Sequence, residues 1–369
     1  MNDPVLPKLP PAVELETKPV LKALVNARSL LARLNGTLAG LPKPQILINT
    51  LALQEAKESS EIENIITTQD ELFRATIVSD RQIDPAAKEV RDYVTATLFG
   101  YDQVRQTGLL LTSDIIAIQQ MIKHTNAGVR RGQSVVLLNE TTGEIMHRPP
   151  QDYSQIMELL GNLAAYINDD RLSDIDPLIK MAVIHYQFEA IHPFMDGNGR
   201  TGRIINILYL VMKRLLDYPV LYLSRYIIQH KNRYYDLLHR FSKGTTDAPW
   251  EEWILYMLGA VAQTSEQTVT TIGKIRHEMR QFKRSIRGDV KLRRIYSQDL
   301  INHLFEHPYT KIDLLADNLG IERRTATKYL NLLHESGLLR KHRLGRSFYY
   351  VNDPLWQILE RMHLTGGDG

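Results

Sequence analysis

Cysteine is absent from all 369 residues, which rules out disulfides and thiolate-ligated metal sites and fits a reducing compartment. No apolar run approaches the roughly 20 residues that a membrane-spanning helix needs. The best stretch, Ile204 to Val211, is interrupted by Asn206 and followed by Lys213 and Arg214. The opening residues, Met1 to Glu14, are rich in proline and lack the basic-then-apolar order of a secretion signal. A cytoplasmic protein without membrane contact is the expectation. Internal repeats and long low-complexity segments are missing as well.

What is present is the composition of an ordinary globular protein, 43% hydrophobic and 24% charged. The length suffices for more than one core and suggests two or three domains. The net charge of +3 conceals an uneven distribution. Lys274 to Arg346 holds 17 Lys and Arg against 8 Asp and Glu, so the rest of the chain is acidic on balance. Two regions therefore face different partners.

Apolar periodicity predicts a mainly α protein. Helices are expected over Leu21–Leu34, Pro44–Ala56, Ser59–Ile66, Asp84–Tyr101, Ser113–His124, Tyr153–Ile167, Asp176–Ile191, Arg200–Leu216, Arg225–Phe241 and Trp250–Ile275. The pattern breaks at Gly128 to His147, where Ser134–Leu138 and Glu144–His147 read as short strands around a turn at Asn139–Gly143. A basic stretch, Lys283 to Arg294, precedes a last segment, Tyr296 to Asn352, with a pattern of its own.

The chemistry is concentrated in His192-Pro193-Phe194-Met195-Asp196-Gly197-Asn198-Gly199-Arg200-Thr201-Gly202-Arg203. Gly197 and Gly199 let the backbone curl so that N–H groups point inward as an anion nest. A helix opening near Arg200 adds its N-terminal dipole. Arg200 and Arg203 can grip phosphate oxygens as forks, Asn198 can donate to phosphate, and Asp196 suits Mg²⁺, which takes one or two carboxylates beside phosphates and water. His192 is the group able to accept a proton near neutral pH. Phe194 offers no chemistry and reads as a core anchor. The competing G-x-G-x-x-G dinucleotide pattern, with Asp217 downstream, would need a strand before it and a βαβ unit around it, and neither is legible here.

This segment resembles the signature of the Fic family, H-P-F-x-D-G-N-G-R-x-x-R, at every fixed position, and the resemblance extends over roughly Pro19 to Leu258. It implies the Fic helical bundle and transfer of AMP from ATP to a Ser, Thr or Tyr hydroxyl of a target protein, with Mg²⁺. By the same resemblance His192 is the base, Asp196 the metal ligand, Gly197, Asn198 and Gly199 the phosphate cradle, and Arg200 and Arg203 the holders of the outer phosphates. Gly199 leaves the room that ordinary ATP use requires. Ser59-Ser60-Glu61-Ile62-Glu63-Asn64 can be read plainly as a capping box, Ser60 to Glu63, at a helix start. It also resembles the family's inhibitory motif S/T-x-x-x-E-G/N, in which the glutamate, here Glu63, binds Arg203 bidentately and denies it to the γ-phosphate.

The hairpin resembles the family's flap, with Val135, Val136 and Leu137 as edge candidates for pairing with an extended target; an ordinary surface hairpin is the alternative. Tyr234 and Tyr235 resemble the family's pair near adenine, and a core role fits either one. Thr310–Gly320 and Ile321–Ser336 read as a helix-turn-helix, with Ala326, Tyr329, Leu330 and Leu333 on the apolar side of the second helix. Leu338–Arg340 and Ser347–Val351 then read as a wing around Gly345, so the module resembles a winged helix-turn-helix domain. Arg323, Arg324, Thr325 and Lys328, with Lys341, Arg343 and Arg346, are placed to contact DNA, unless the face is a solvated basic surface used for protein contacts. The expected division is 1–110 for an N-terminal helical region with the inhibitory motif, 111–275 for the Fic core and 276–369 for the linker and winged helix. A homodimer is implied by resemblance alone. The rival readings are a DNA-binding regulator with a nucleotide-sensing core, and an enzyme of this fold that uses another donor or removes AMP.

Overall fold

The computed structural model describes residues 6–40, 44–75, 83–131, 135–138, 143–243, 248–344 and 347–364. Among them run α1 (Lys18–Ala39), α2 (Gln45–Ile62), α3 (Gln69–Ala75), α4 (Pro85–Thr107), α5 (Thr112–Lys123), β1 (Leu137–Leu138), β2 (Ile145–His147), α6 (Tyr153–Asn168), α7 (Pro177–Ile191) and α8 (Asn198–Met212). There follow α9 (Leu223–Gln229), α10 (Lys231–Ser242), α11 (Trp250–Gly288), α12 (Gln298–Glu306), β3 (Tyr309–Thr310), α13 (Ile312–Leu319), α14 (Arg323–Glu335), β4 (Arg340–Leu344), β5 (Ser347–Val351) and α15 (Asp353–Leu364). The mainly α expectation holds. The chain forms two compact units: Met1–Gly36, Glu58–Ile65 and Asp92–Glu266, and then Thr37–Lys57, Ile66–Arg91 and Gln267–Gly369.

The first unit is built on α7 and α8. α7 is apolar on all sides, and every residue from Leu178 to Phe188 is buried, as a central helix requires. Asp176 caps its start by accepting from Leu178 N at 2.8 Å, with Pro177 in the first turn. α8 is buried from Asn198 to Val211. α5 and α6 flank this pair, and the buried Trp253 of α11 donates from Nε1 to Ala182 O at 2.8 Å. The hairpin is antiparallel, Leu137 opposite His147 and Leu138 opposite Ile145, and shorter than expected. Ser134 and the turn residues Asn139 to Thr142 lie outside the described residues.

Two expectations are corrected. Pro44–Ala56 and Ser59–Ile66 are one helix, α2, because no Gly or Pro interrupts the sequence between them. Ser59 to Asn64 therefore ends a helix and does not begin one: Asn64 takes a left-handed conformation, φ 61°, and Ile65 N returns to Ser60 O at 3.0 Å. The capping box belongs to Thr68 and Glu71 in front of α3, where Thr68 N donates to Glu71 Oε2 at 2.8 Å and Glu71 N to Thr68 Oγ1 at 3.2 Å. Arg225–Phe241 is two helices, broken at His230, φ −122°.

In the second unit, α12, α13 and α14 pack through buried Leu300, Leu304, Phe305, Leu315, Ala326, Leu330 and Leu333. Gly320, φ 63°, makes the turn between α13 and α14. The sheet order is β3-β5-β4, antiparallel throughout, with Tyr309 opposite Val351 and Leu344 opposite Ser347. Thr310, expected in a helix, lies in β3, and β4 begins at Arg340, where the first of the two expected strands was to end. α3 joins this unit: Phe73 stacks on Tyr309 at 5.8 Å, and the Tyr309 hydroxyl donates to Asp70. α11 runs for 39 residues, so much of the expected basic linker is helical.

Candidate active site

The loop between α7 and α8 is fixed from several sides. His192 ends α7 in the left-handed region, φ 47°, a conformation uncommon for residues with a side chain. Arg130 holds that turn: its Nε donates to His192 O at 2.8 Å, its backbone N to Pro193 O at 2.9 Å, and Nη2 to Pro150 O. Phe194 is fully buried against Phe188, as an anchor should be. Asn198 is also buried, and its amide faces inward, donating to Phe194 O at 2.8 Å and accepting from Phe194 N at 2.9 Å. Its side chain pins the loop, a role that the residue pattern alone does not assign. Gly197, φ 81°, turns the chain into α8, whose start receives no side-chain cap among the described residues, the kind of helix start that suits an anion.

His192 is half-buried. Burial pushes its imidazole down to about 4, with His147 and Arg130 adding to the fall and Glu63 opposing it, so the ring is neutral at pH 7. His147, at the end of β2, is anchored by a bond between Nε2 and Ala190 O at 2.8 Å. Asp196 is 57% exposed; Lys123 Nζ lies 2.7 Å and Arg200 Nη2 3.3 Å from its oxygens. Burial raises its carboxyl, but Lys123 and Arg200 outweigh that and hold it below the ordinary range. Gln119 Nε2 donates to Asp196 O at 3.0 Å. No group of three or more His, Asp or Glu able to hold a metal occurs among the described residues. Mg²⁺ would thus depend on Asp196 together with phosphates and water, and this ionised, accessible carboxylate fits that ligand set.

Arg200 and Arg203 are both buried. Arg203 donates from Nε to Ser59 Oγ at 2.7 Å, and from Nη2 to Ser59 O and to Glu63 Oε1, each at 2.9 Å. The expected two-bond fork from Glu63 is therefore corrected to one bond from Glu63 and two from Ser59. Burial alone would lower the Arg203 pKa; Glu63 and neighbouring tyrosines reverse that and raise it. A Cβ on Gly199 would collide with Glu63 Oε1 and the Arg203 guanidinium, so Glu63 occupies the space that Gly199 leaves over the start of α8. The end of α2 is secured further by the buried Glu58–Arg225 pair at 3.0 Å and by Lys231 Nζ donating to Ile62 O at 3.1 Å.

The outer residues divide. Tyr234 is corrected to a core residue: it is 2% exposed, its hydroxyl pairs with His185 Nε2 at 2.9 Å, and it packs with Trp253 and Tyr256. Tyr235 is 40% exposed, with Lys231 over its ring. In the hairpin, Val135 and Val136 lie outside the strands, and both backbone groups of Val135 are taken by Gln151, N to Oε1 at 3.0 Å and O from Nε2 at 2.9 Å. Val135 is thus corrected as a free edge position. Leu137 lies in β1, which among the described residues pairs with β2 alone. β2 meets α10, where His239 Nδ1 and Ser242 Oγ sit 2.9 and 2.6 Å from Met146 O. Sequence reasoning missed Arg130, His147, Lys123 and Gln119, which carry no motif of their own and reach the loop only through the fold.

Three family models match in succession: Fic/DOC family N-terminal over residues 21–102, Fic/DOC family over 109–210, and protein adenylyltransferase SoFic-like, C-terminal domain, over 279–355. The chain belongs to the Fic/DOC family. Among curated relatives, protein adenylyltransferase fic-1 of Caenorhabditis elegans is 36% identical over 90 residues, 24% of this chain and 16% of that protein. Protein adenylyltransferase Fic of Aedes aegypti is 33% identical over 101 residues, 27% of this chain and 18% of that one. The chain thus spans less than a fifth of the length of these relatives. A Fic family protein from Desulfovibrio desulfuricans G20 shares the fold with a TM-score of 0.57 at 20% identity, covering 93% of this chain and 98% of that one. A fragment of Fic-1 from C. elegans does so at 0.50 and 19%, covering 70% and 73%.

Proposed function

We propose that this Fic protein transfers the AMP part of ATP to a Ser, Thr or Tyr hydroxyl of a target protein, itself included, and that Glu63 restrains it. The observation that carries the reading is the convergence at one loop–helix junction of a neutral, desolvated His192, an uncapped helix start at Gly197, and two buried arginines, Arg200 and Arg203. The relatives named protein adenylyltransferases point the same way.

On this reading the polyphosphate lies over the start of α8, held by backbone N–H groups and by Arg200 and Arg203. Mg²⁺, held by Asp196, supplies charge neutralisation on the phosphates when bound. The approaching negative charge raises the His192 pKa from its low resting value, so the ring becomes a better base as the nucleotide settles. His192 takes the proton of the target hydroxyl, the oxygen attacks the α-phosphorus, and the bond to pyrophosphate breaks. The work is positioning and charge stabilisation, with little covalent chemistry for the protein. With Glu63 in the space above Gly199 and bonded to Arg203, the γ-phosphate has neither its arginine nor its room. The edge of β1, at Leu137, is the position left for pairing with an extended target.

The test is incorporation of label from α-labelled ATP with Mg²⁺, with the protein and a cell lysate as acceptors. Strong labelling by Glu63→Gly, weak labelling by wild type and none by His192→Ala supports transfer and restraint together. Absence of label from every folded, ATP-binding variant would reject the transfer.

A second reading concerns the second unit. Arg323, Arg324 and Lys328 are exposed on the first half of α14, and Lys341 and Arg343 stand on the adjacent wing strand. That arrangement suits a recognition helix with phosphate contacts beside it. Arg346 lies outside the described residues. Retention on duplex DNA that weakens with salt is the test, and binding without salt dependence would reject it.

A further inference from the structure

Glu189 stands on α7 one turn before His192, and the scheme above gives it no part. Its Oε1 is buried and has no hydrogen-bond partner among the described residues. A Cβ on Gly202 would come within 2.7 Å of that oxygen, so the carboxylate lies against α8 beside the residue that precedes Arg203. The charges acting on it come from Arg203 on α8 and from Glu63 beyond the end of α2. Its charge also acts on Tyr234 of α10, and burial keeps that phenol protonated. On its own helix, His185 is held neutral by burial, down to about 3, and His192 is neutral as well. Two carboxylates thus attend one guanidinium, and the hydrogen bond belongs to Glu63. Glu189 as a residue is half-buried, but a carboxylate oxygen buried without a partner makes the charged form costly. Burial first, and then the charge of Glu63, push Glu189 up to about 7, with Arg203 opposing.

We propose that Glu189 is a positioning residue for Arg203: it takes up the guanidinium when Glu63 withdraws, holds it for the nucleotide, and by ionising weakens the hold of Glu63. This rests on the reading of Glu63 as a restraint. Above its folded pKa the charged Glu189 offers Arg203 a second partner and repels Glu63; below it, Glu63 is the single charged partner.

The experiment measures the ratio of labelling by Glu63→Gly to labelling by the unsubstituted protein between pH 6 and 8.5, and repeats it in a Glu189→Gln background. His192, pushed down to about 4, is neutral throughout this range, and removing Glu63, which raises it, leaves it so. The expected ratio falls roughly three- to tenfold with rising pH, the effect of about half to one unit of coupling between the two carboxylates. In the Glu189→Gln background, where position 189 carries no charge at any pH, it stays level. A level ratio without the Glu189 substitution, or the same fall with it, overturns the proposal. If Glu63→Gly labels no better than wild type at any pH, the restraint itself fails, and calorimetric ATP binding then judges Glu189 alone. Weaker binding by Glu63→Gly/Glu189→Gln than by Glu63→Gly at pH 8, with equal binding at pH 6, supports the positioning role. Equal binding at both pH values overturns it.

Discussion

The Arg203 guanidinium is bound twice by Ser59, through the hydroxyl at 2.7 Å and through the backbone carbonyl at 2.9 Å. Glu63 adds a third bond at 2.9 Å. Holding Arg203 is therefore shared between a side chain at the last turn of α2 and the carboxylate just beyond it. The hydroxyl fixes the orientation in which the carboxylate can reach.

Ser59→Ala should release the enzyme in part. A hydrogen bond to a charged group contributes about 1.5–3 kcal/mol, but the Ser59 carbonyl and Glu63 remain. Self-labelling from α-labelled ATP should rise above wild type by roughly tenfold at most, and stay below that of Glu63→Gly. Labelling by Ser59→Ala equal to wild type would mean that the hydroxyl adds nothing to the restraint.

The loop was legible because its chemistry is local. Its glycines, arginines, carboxylate and histidine are contiguous, and the helices on either side carry enough apolar residues to be recognised. The end of α2 was misread for the opposite reason. Ser60 and Glu63 have capping-box spacing, but a helix already propagating from Gln45 does not stop for two serines, and the box formed at Thr68 and Glu71 instead. Tyr234 and Tyr235 are adjacent in sequence yet differ in burial, because successive residues on a helix point about 100° apart and only one side of α10 faces Trp253. Arg130 was invisible, since a buried arginine bonded to carbonyls on different segments has no signature in its own neighbourhood.

Lys123 should set the metal requirement. Its ammonium lies 2.7 Å from Asp196 Oδ2, where a cation bound by that carboxylate would have to displace or share with it. In Lys123→Ala, the Mg²⁺ concentration for half-maximal ATP binding should fall several-fold, because one competing charge is gone. A Mg²⁺ titration followed by calorimetry with a non-hydrolysable ATP analogue measures this. A requirement that rises would instead identify Lys123 as a phosphate contact.

The basic half of α14 should account for part of any salt-dependent DNA binding. Arg324 and Lys328 are four residues apart, on neighbouring turns of one face, and both are exposed. Replacing both with Ala should reduce the slope of log K against log salt by about 2, close to one for each phosphate that a basic side chain no longer neutralises. An unchanged slope with retained binding would move the binding surface elsewhere on the second unit.

Acid should destabilise the first unit through His185. This ring is fully buried, stacked on Trp253 at 5.9 Å, and paired with the Tyr234 hydroxyl at 2.9 Å. Burial, with Arg203 adding to it, pushes its pKa down to about 3 from an ordinary 6.5. The folded state therefore binds the proton less readily than the unfolded chain does. The stability that comes from keeping the ring neutral is complete above pH 6.5, and it is lost progressively as the pH falls from there toward 3. His185→Phe removes that titration while keeping an aromatic face against Trp253, and it leaves the Tyr234 hydroxyl without its partner, at a cost of about 1–3 kcal/mol. The variant should melt below wild type at pH 7.5, and the gap should narrow as the pH is lowered to 5. Thermal melts across that range measure both effects, and a gap that stays constant would show that His185 does not govern the acid response.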